Sequence, residues 1–224
     1  MSRITAFLAA ALGGALLVAA VPVRDWSRVV APAPQGSYRI GNPAAKVKLV
    51  EFVSYTCPHC RHFAEQSDAV LRGQMVKSGS TSVEFRNQIH DKLDLTAVVL
   101  ARCTGPRRFL AYHDAVYAGQ ETWIPQAVAW DEANAAKNAG LSDGQKLKAL
   151  ADGAGLSAYA RKAGMTAPEI AKCFADPAVL KRALEVSQAT ENVPSTPSFE
   201  LNGTLITNVA WAGLEPRLRA VGAK

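Results

Sequence analysis

The sequence predicts an α/β fold in which a small sheet domain is interrupted by a block of helices. Three observations support this prediction. A β-rich run at residues 47–53 (VKLVEFV) is followed by a helical pattern and then by an alternating strand at 82–86. Strand signals are then absent for about 110 residues, in which glycines punctuate helical patterns. Two short strands around Asn202-Gly203, a strong hairpin signal, then complete the sheet.

The first 20 residues are predicted to be a signal peptide. Arg3 precedes an apolar run of fifteen residues, 7–21, and the run contains small residues ending at Ala20, where a signal peptidase would cut. The run is short for a spanning helix, which needs about 20 apolar residues, and an uncleaved anchor is the alternative. Residues 21–35 contain three prolines and are predicted to be a linker or loose arm.

The rest of the chain is assigned to two domains. Helices are predicted at residues 58–75, 95–103, 106–117, 126–138, 143–152, 156–163, 168–174, 177–190 and 214–221, and the last two strands at 199–201 and 205–207. The sheet domain would comprise residues 36–90 and 178–224. The inserted domain, residues 91–177, would be all-helical.

Composition and charge exclude several classes of protein. The 224 residues are 49% hydrophobic and 20% charged, which is typical of a globular protein and excludes wholesale disorder. The formal net charge of +6 is modest, and aromatic residues are not interleaved with the basic ones. We therefore predict no nucleic-acid partner.

The stretch SYTCPHCRHF at residues 54–63 carries the strongest chemical signal. Its cysteines, Cys57 and Cys60, could hold a metal, form a structural bridge or transfer electrons. Structural zinc usually takes two close pairs of ligands, and only one pair is close here, so we predict no metal. A bridge closing so short a loop would stabilise the fold very little. The redox interpretation is favoured.

The redox interpretation follows from the position of the pair after a strand and at the start of a helix. Pro58 suits the first helical position, so Cys57 would face the free N–H groups at the helix N-terminus. Those groups stabilise a thiolate and lower the pKa of Cys57. His59 is predicted to stabilise the same thiolate. Cys60, one turn further on, is predicted to be more buried and to resolve the mixed disulfide.

With these features the chain resembles the DsbA family of exported thiol oxidases, within the thioredoxin superfamily. The resemblance depends on C-P-H-C after the strand, on the long helical insertion, and on S-T-P-S-F-E-L-N-G near the C-terminus. It implies a thioredoxin-like fold with an inserted all-helical domain. It also implies a cis peptide bond at Thr196-Pro197 that presents the Thr196 backbone to a client chain beside Cys57. Val193-Pro194 is the competing site, and Ser195 replaces the family's usual glycine.

The resemblance also assigns a role to an acid in the strand before the cysteines. A carboxylate at Glu51, within an apolar strand, is costly unless it is paired or functional. In the family, an acid at this place helps to move the proton of the inner cysteine. The alternative is an edge-strand residue that faces solvent. A lysine often partners this acid, and Lys92 is the nearest candidate, although its spacing differs by about one residue.

The two remaining cysteines, Cys103 and Cys173, fall near the ends of predicted helices. An even number of cysteines in an exported protein suggests two pairs. Related exported oxidases often carry a second disulfide in this region, so the resemblance implies a structural bridge between them. Two free buried thiols are the alternative.

The resemblance therefore predicts an enzyme, a periplasmic thiol–disulfide oxidoreductase of the DsbA type that introduces disulfides into reduced client proteins. Its partners would be those clients and a membrane protein of the DsbB type that reoxidises it. We expect a monomer that needs no cofactor, because the chemistry resides in the sulfurs. A disulfide isomerase or reductase of the same superfamily is the first alternative. The second is a client-binding chaperone without redox activity.

Overall fold

A six-stranded mixed sheet lies at the centre of the part of the chain that the structure, a computed structural model, describes, namely residues 24–33 and 38–224. Its strands are β1 (Val30–Pro32), β2 (Tyr38–Gly41), β3 (Val47–Val53), β4 (Thr81–Asn87), β5 (Ser198–Leu201) and β6 (Thr204–Ile206). The order across the sheet is β1-β2-β4-β3-β5-β6. β3 and β4 run parallel, and the other neighbouring pairs are antiparallel. The predicted signal peptide, residues 1–20, lies outside the described residues.

A β-α-β unit forms the core of this sheet. After β3, the chain enters α1 (Pro58–Val70), which continues as a π-helical segment, Leu71–Val76, and returns to β4. Parallel strands need such a crossover, because a tight turn cannot join them. The sequence predicted one helix over 58–75, and the change to π-helical geometry at its end was not predicted.

Eight further helices are present in the described part of the chain. They are α2 (Lys92–Cys103), α3 (Pro106–Ala118), α4 (Gln120–Asn138), α5 (Asp143–Gly153), α6 (Leu156–Lys162), α7 (Ala167–Ala175), α8 (Pro177–Gln188) and α9 (Trp211–Ala220). α2 to α7 lie where the inserted helical domain was predicted, and the division into two domains stays a prediction. α4 and α9 begin earlier than predicted. α4 includes Pro125, which the prediction had left before the helix, and α9 starts at Trp211, three residues before the predicted 214. None of the described helices has both the length and the apolar character required to span a membrane.

The prediction of a loose arm at residues 21–35 is wrong for the residues that the structure describes there. Trp26–Arg28 forms a 3-10 helix, and β1 pairs with β2 at the edge of the sheet. Prolines suggested a linker, but an edge strand tolerates a proline such as Pro32, because its outer side needs no hydrogen-bonded neighbour.

The predicted hairpin between β5 and β6 is confirmed. Asn202 and Gly203 both adopt positive φ angles, 48° and 88°, which a tight two-residue turn of this kind requires. The hairpin places β5 against β3, so that Glu51 in β3 lies between Phe199 of β5 and Phe85 of β4. One continuous hydrophobic core joins these strands to the helical block, where Tyr112 and Trp123 are completely buried.

Candidate redox site

Cys57 occupies the N-cap position of α1, directly after the loop that leaves β3. Pro58 is the first helical residue, as predicted, and it is exposed between the two cysteines. The Cys57 thiol lies 3.2 Å from the carbonyl oxygen of Thr196, although the two residues are 139 positions apart in the chain. The fold therefore brings together the cysteine motif and the segment that precedes β5.

The segment before β5 contains a cis peptide bond at Thr196–Pro197, which is the only one among the described residues. This confirms the predicted position, and the competing proposal at Val193-Pro194 is wrong. Ser195 stands where the DsbA family has glycine, and its backbone carbonyl oxygen accepts a 2.7 Å hydrogen bond from the hydroxyl of Ser198.

The pKa of Cys57 is lowered to about 5. The largest cause is a hydrogen bond from the Cys60 thiol, and the backbone N–H groups of Cys60 and His59 add to it, while burial opposes the shift. The contribution of His59 thus comes from its backbone N–H, whereas the sequence suggested its imidazole, and the residue itself is exposed. At neutral pH, Cys57 is therefore predominantly a thiolate.

Cys60 has the opposite character. It is 2% exposed, and burial raises the pKa of its thiol, as does the neighbouring negative charge of Cys57. Both cysteines are unbridged in this structure, which therefore shows the dithiol state. The arrangement pairs a reactive thiolate with a protonated, buried thiol, which is the asymmetry that thiol–disulfide exchange requires.

Glu51 is buried on β3 beneath the cysteines, so the alternative of a solvent-facing edge residue is wrong. Burial raises the pKa of its carboxyl to about 8, and the positive charge of Arg72 partly opposes this rise. Lys92 is not its partner, because the ammonium of Lys92 pairs with Asp131 at the surface. The cation that acts on Glu51 is Arg72, which the sequence analysis did not single out.

Two further polar residues that the sequence analysis missed hold the loop before α1. Asp94, completely buried at the start of α2, accepts hydrogen bonds from the backbone N–H groups of Tyr55 (2.9 Å) and His90 (3.2 Å). Burial raises the pKa of this carboxyl to about 7. Gln120, the first residue of α4, donates from its side-chain amide to the carbonyl oxygens of Tyr55 and Cys57. No local sequence pattern marks either residue's role at this loop, because the bonds to Tyr55 and Cys57 join distant parts of the chain.

A disulfide joins Cys103, at the end of α2, to Cys173 in α7. The prediction of a bridge is therefore confirmed, and the alternative of two free thiols is wrong. The bridge also consumes the cysteines that a four-ligand zinc site would need. No group of three or more potential metal ligands occurs in the described part of the chain.

Two grooves flank the cysteine pair. The larger, with a volume of about 1040 Å³, lies between the Cys57 end of α1, the loop at Thr196, and helices α2, α4 and α8. Val128 and Leu184, which are 43% and 40% exposed, line it. The smaller groove, of about 290 Å³, is bordered by His59, Pro197 and Trp211. Cys57 borders the larger groove, so a partner could reach its sulfur from there.

The fold and this site define a class of protein, a thioredoxin-fold protein with a dithiol of the C-x-x-C type at a helix N-terminus. A family model described as Thioredoxin matches residues 34–219, and the chain belongs to this family.

Individual relatives agree with this assignment. The chain is 33% identical to a crystallised protein-disulfide isomerase from Novosphingobium aromaticivorans, with 83% of this chain and 96% of that one covered and a TM-score of 0.74. Alpha-DsbA1 of Wolbachia pipientis is 18% identical, covers 85% and 92% of the two chains at a TM-score of 0.62, and shares the fold. The resemblance to DsbA-type proteins is thus confirmed for the fold.

A curated sequence relative is a putative protein-disulfide oxidoreductase of Rickettsia bellii, 27% identical over 173 residues. The match covers 75% of this chain and 58% of that protein, so the chain spans little more than half the length of this relative.

Proposed function

We propose that this protein is a thiol–disulfide oxidoreductase, and that it acts as a DsbA-type oxidase that donates a Cys57–Cys60 disulfide to reduced client proteins. The asymmetry of the cysteine pair carries the proposal. A pKa of about 5 for Cys57 stabilises the dithiol state through its thiolate. A stabilised dithiol makes the corresponding disulfide a stronger oxidant, because reduction releases more free energy.

The proposed reaction has two exchange steps. A client thiolate attacks the Cys57 sulfur of the disulfide, a client–Cys57 bond forms, and Cys60 leaves as a thiolate that takes up a proton. The second client thiolate then attacks the client sulfur of this mixed disulfide, and Cys57 leaves as a thiolate. The client loses two electrons and the enzyme gains them. Cys57 is the better leaving group because its pKa is the lower of the two.

Several residues would support these steps. Glu51 would supply the proton that Cys60 takes up, because at neutral pH a carboxyl with a pKa of about 8 is mostly protonated. The backbone of Thr196, held beside Cys57 by the cis bond to Pro197, would pair with the extended client chain. The contact between Cys57 and the Thr196 carbonyl supports this placement.

The cellular setting is also part of the proposal. The predicted signal peptide and the bridge between Cys103 and Cys173 support an exported, periplasmic protein, because disulfides persist in oxidising compartments. A membrane partner of the DsbB type would reoxidise the cysteine pair. The protein would act as a monomer without a cofactor.

The equilibrium of Cys57–Cys60 with glutathione tests the proposed direction. An oxidase should have a potential well above that of thioredoxin, which is about −270 mV. A value near that of thioredoxin would contradict the oxidase assignment and favour a reductase. Oxidation of a reduced client should be lost in Cys57→Ser, and unchanged client folding in this variant would favour a chaperone.

An isomerase is the second candidate, because the relative from Novosphingobium aromaticivorans carries that name. Two assays with the same client distinguish the candidates. The disulfide form of an oxidase should oxidise a fully reduced client quickly and should reshuffle a scrambled client slowly. The dithiol form of an isomerase should show the opposite preference.

A further inference from the structure

We propose that Arg72 is a positioning residue for the buried acid Glu51, and that the cavity between them is the route by which Glu51 exchanges protons with solvent. This inference rests on the proposed function, because the acid serves the buried thiol of Cys60. It adds a residue and a path to that function.

The cavity lies below the cysteine pair, between the sheet, α1 and α3, and has a volume of about 50 Å³. One helical wall comes from α1 and the π-helical segment, where most of the lining residues are three or four positions apart, namely Cys60, Ala64, Ser67, Asp68, Leu71, Arg72 and Val76. The other helical wall comes from α3. A polar cavity needs about 10–15 Å³ to hold one water molecule, so this cavity has room for water.

The cavity joins a buried end to an exposed end. Glu51 and Cys60 line its interior and are 6% and 2% exposed. Arg72 and Asp114 also line it, and their side chains are 27% and 46% exposed. Polar side chains therefore extend from the Glu51 carboxyl to solvent between α1 and α3, along a cavity whose lining is otherwise largely apolar.

Two carboxylates fix the guanidinium of Arg72 at the exposed end. Its Nη1 lies 2.8 Å from Asp114 on α3, and its Nε lies 2.6 Å from Asp68 one helical turn earlier. An arginine held in this way can act on Glu51 from a constant position, because its planar head is oriented by more than one partner.

Arg72 is the single lysine or arginine among the described residues that line the cavity with Glu51. The other titratable or charged groups that line it are Cys60 and Asp68 from α1, and His113, Asp114 and Tyr117 from α3. Burial lowers the pKa of His113 to about 4, so this imidazole is neutral at physiological pH. Glu51 has no hydrogen-bond partner among the described residues, and Arg72 therefore remains the group that favours its ionised form.

This arrangement completes the proton transfer of the proposed reaction. When Cys60 leaves as a thiolate, the Glu51 carboxyl gives it a proton and becomes a carboxylate. The charge of Arg72 stabilises that carboxylate until a proton arrives from solvent through the cavity. Without Arg72, the ionised acid would be buried with no compensating charge, which is costly.

An infrared titration of the Glu51 carboxyl in the dithiol protein tests the role of Arg72. The Glu51 band is identified by its absence in Glu51→Gln. In Arg72→Gln the midpoint should rise by roughly one pH unit, and Arg72→Lys should restore most of the original value. The matched control is Arg108→Gln, because Arg108 also pairs across helices, with Glu169, but does not line the cavity.

An unchanged midpoint in Arg72→Gln, or a failure of Arg72→Lys to restore it, would overturn the proposal. If Arg72→Gln does not fold, Arg72→Met keeps the apolar stem of the side chain and should show the same rise. The titration does not depend on client oxidation. An unshifted midpoint in a protein that oxidises clients therefore contradicts only the role of Arg72, whereas absent oxidation by the wild type contradicts the proposed function.

Discussion

The side-chain amide of Gln120 lies 3.0 Å from the backbone carbonyl oxygen of Cys57. The same amide nitrogen lies 2.8 Å from the carbonyl oxygen of Tyr55, and Gln120 is almost fully buried. Gln120 is the first residue of α4, so the helical block directly holds the loop from which the redox helix begins. Any movement of α4 would thus be transmitted to the backbone of the cysteine that reacts.

Replacing Gln120 tests this connection. Gln120→Leu should lower the free energy of unfolding by about 1–3 kcal/mol, because the Tyr55 carbonyl loses its side-chain donor and the Cys57 carbonyl keeps only the backbone N–H of Arg61. Urea unfolding measures the change. Gln126→Leu is the matched control, since Gln126 lies on the same helix and donates one exposed hydrogen bond to Gly153. Equal effects of the two substitutions would contradict the special role of Gln120.

The pKa of Cys57 should depend on Cys60 more than on the His59 side chain. In the dithiol protein, the ultraviolet absorbance of the thiolate should titrate with a midpoint at about pH 5. Cys60→Ala should raise this midpoint, because the hydrogen bond from the Cys60 thiol is the largest cause of the low value. Cys60→Ser, which retains a donor, should lie between them. A larger rise in His59→Ala than in Cys60→Ala would show that the imidazole dominates.

Glu51 should make the stability of the dithiol protein depend on pH. Its pKa is 4.5 in the unfolded chain and about 8 in the folded protein, so the folded state binds more protons between these values. The free energy of unfolding should therefore fall as pH rises from about 4.5 to about 8, by a few kcal/mol.

Glu51→Gln should lack the fall in the free energy of unfolding that ionisation of Glu51 causes. As pH rises from about 4.5 to about 8, the variant should therefore become progressively more stable relative to the wild type. Denaturant unfolding at a series of pH values measures the difference. Well below pH 4.5 the difference should be constant, because both side chains are then neutral in both states. A difference that does not change with pH would contradict a raised pKa for Glu51.

Removing the bridge between Cys103 and Cys173 should destabilise the fold without abolishing exchange chemistry. The two cysteines are 70 positions apart, and a loop of this length corresponds to about 4 kcal/mol on the loop-entropy model. The double variant Cys103→Ser, Cys173→Ser should therefore unfold at a lower denaturant concentration than the wild type. Wild-type protein whose Cys103–Cys173 bridge has been reduced should unfold at a similarly lowered concentration. A large loss of exchange at Cys57 in the folded variant would show that the bridge also shapes the redox site.

The sequence predicted those features whose signal is local. C-P-H-C at a strand-to-helix junction, Thr196-Pro197 and Asn202-Gly203 are short patterns with direct backbone consequences, and the structure has them where expected. The role of the His59 imidazole was inferred from adjacency in sequence. The helix start instead directs a backbone N–H toward the sulfur.

The missed features depend on contacts between distant segments. β1 and β2 are short, and prolines and glycines flank them in the sequence. They form strands because β1 pairs with β2 and β2 pairs with β4. Arg72 and Gln120 act on residues of β3 and its following loop. Arg72 had only a weak signal, because on a regular α-helix a spacing of twelve residues turns it about 120° away from Cys60. Gln120 had none.

The bridge between Cys103 and Cys173 also bears on how the protein acquires its own disulfides. Four cysteines can be paired in three ways. Because Cys103 pairs with Cys173, Cys57 and Cys60 can pair only with each other. The first cysteine in the chain thus pairs with the second, and the third with the fourth. A chain oxidised progressively from its N-terminus during synthesis would close the short pair first and the long pair second. Its maturation therefore requires no reshuffling of mispaired cysteines.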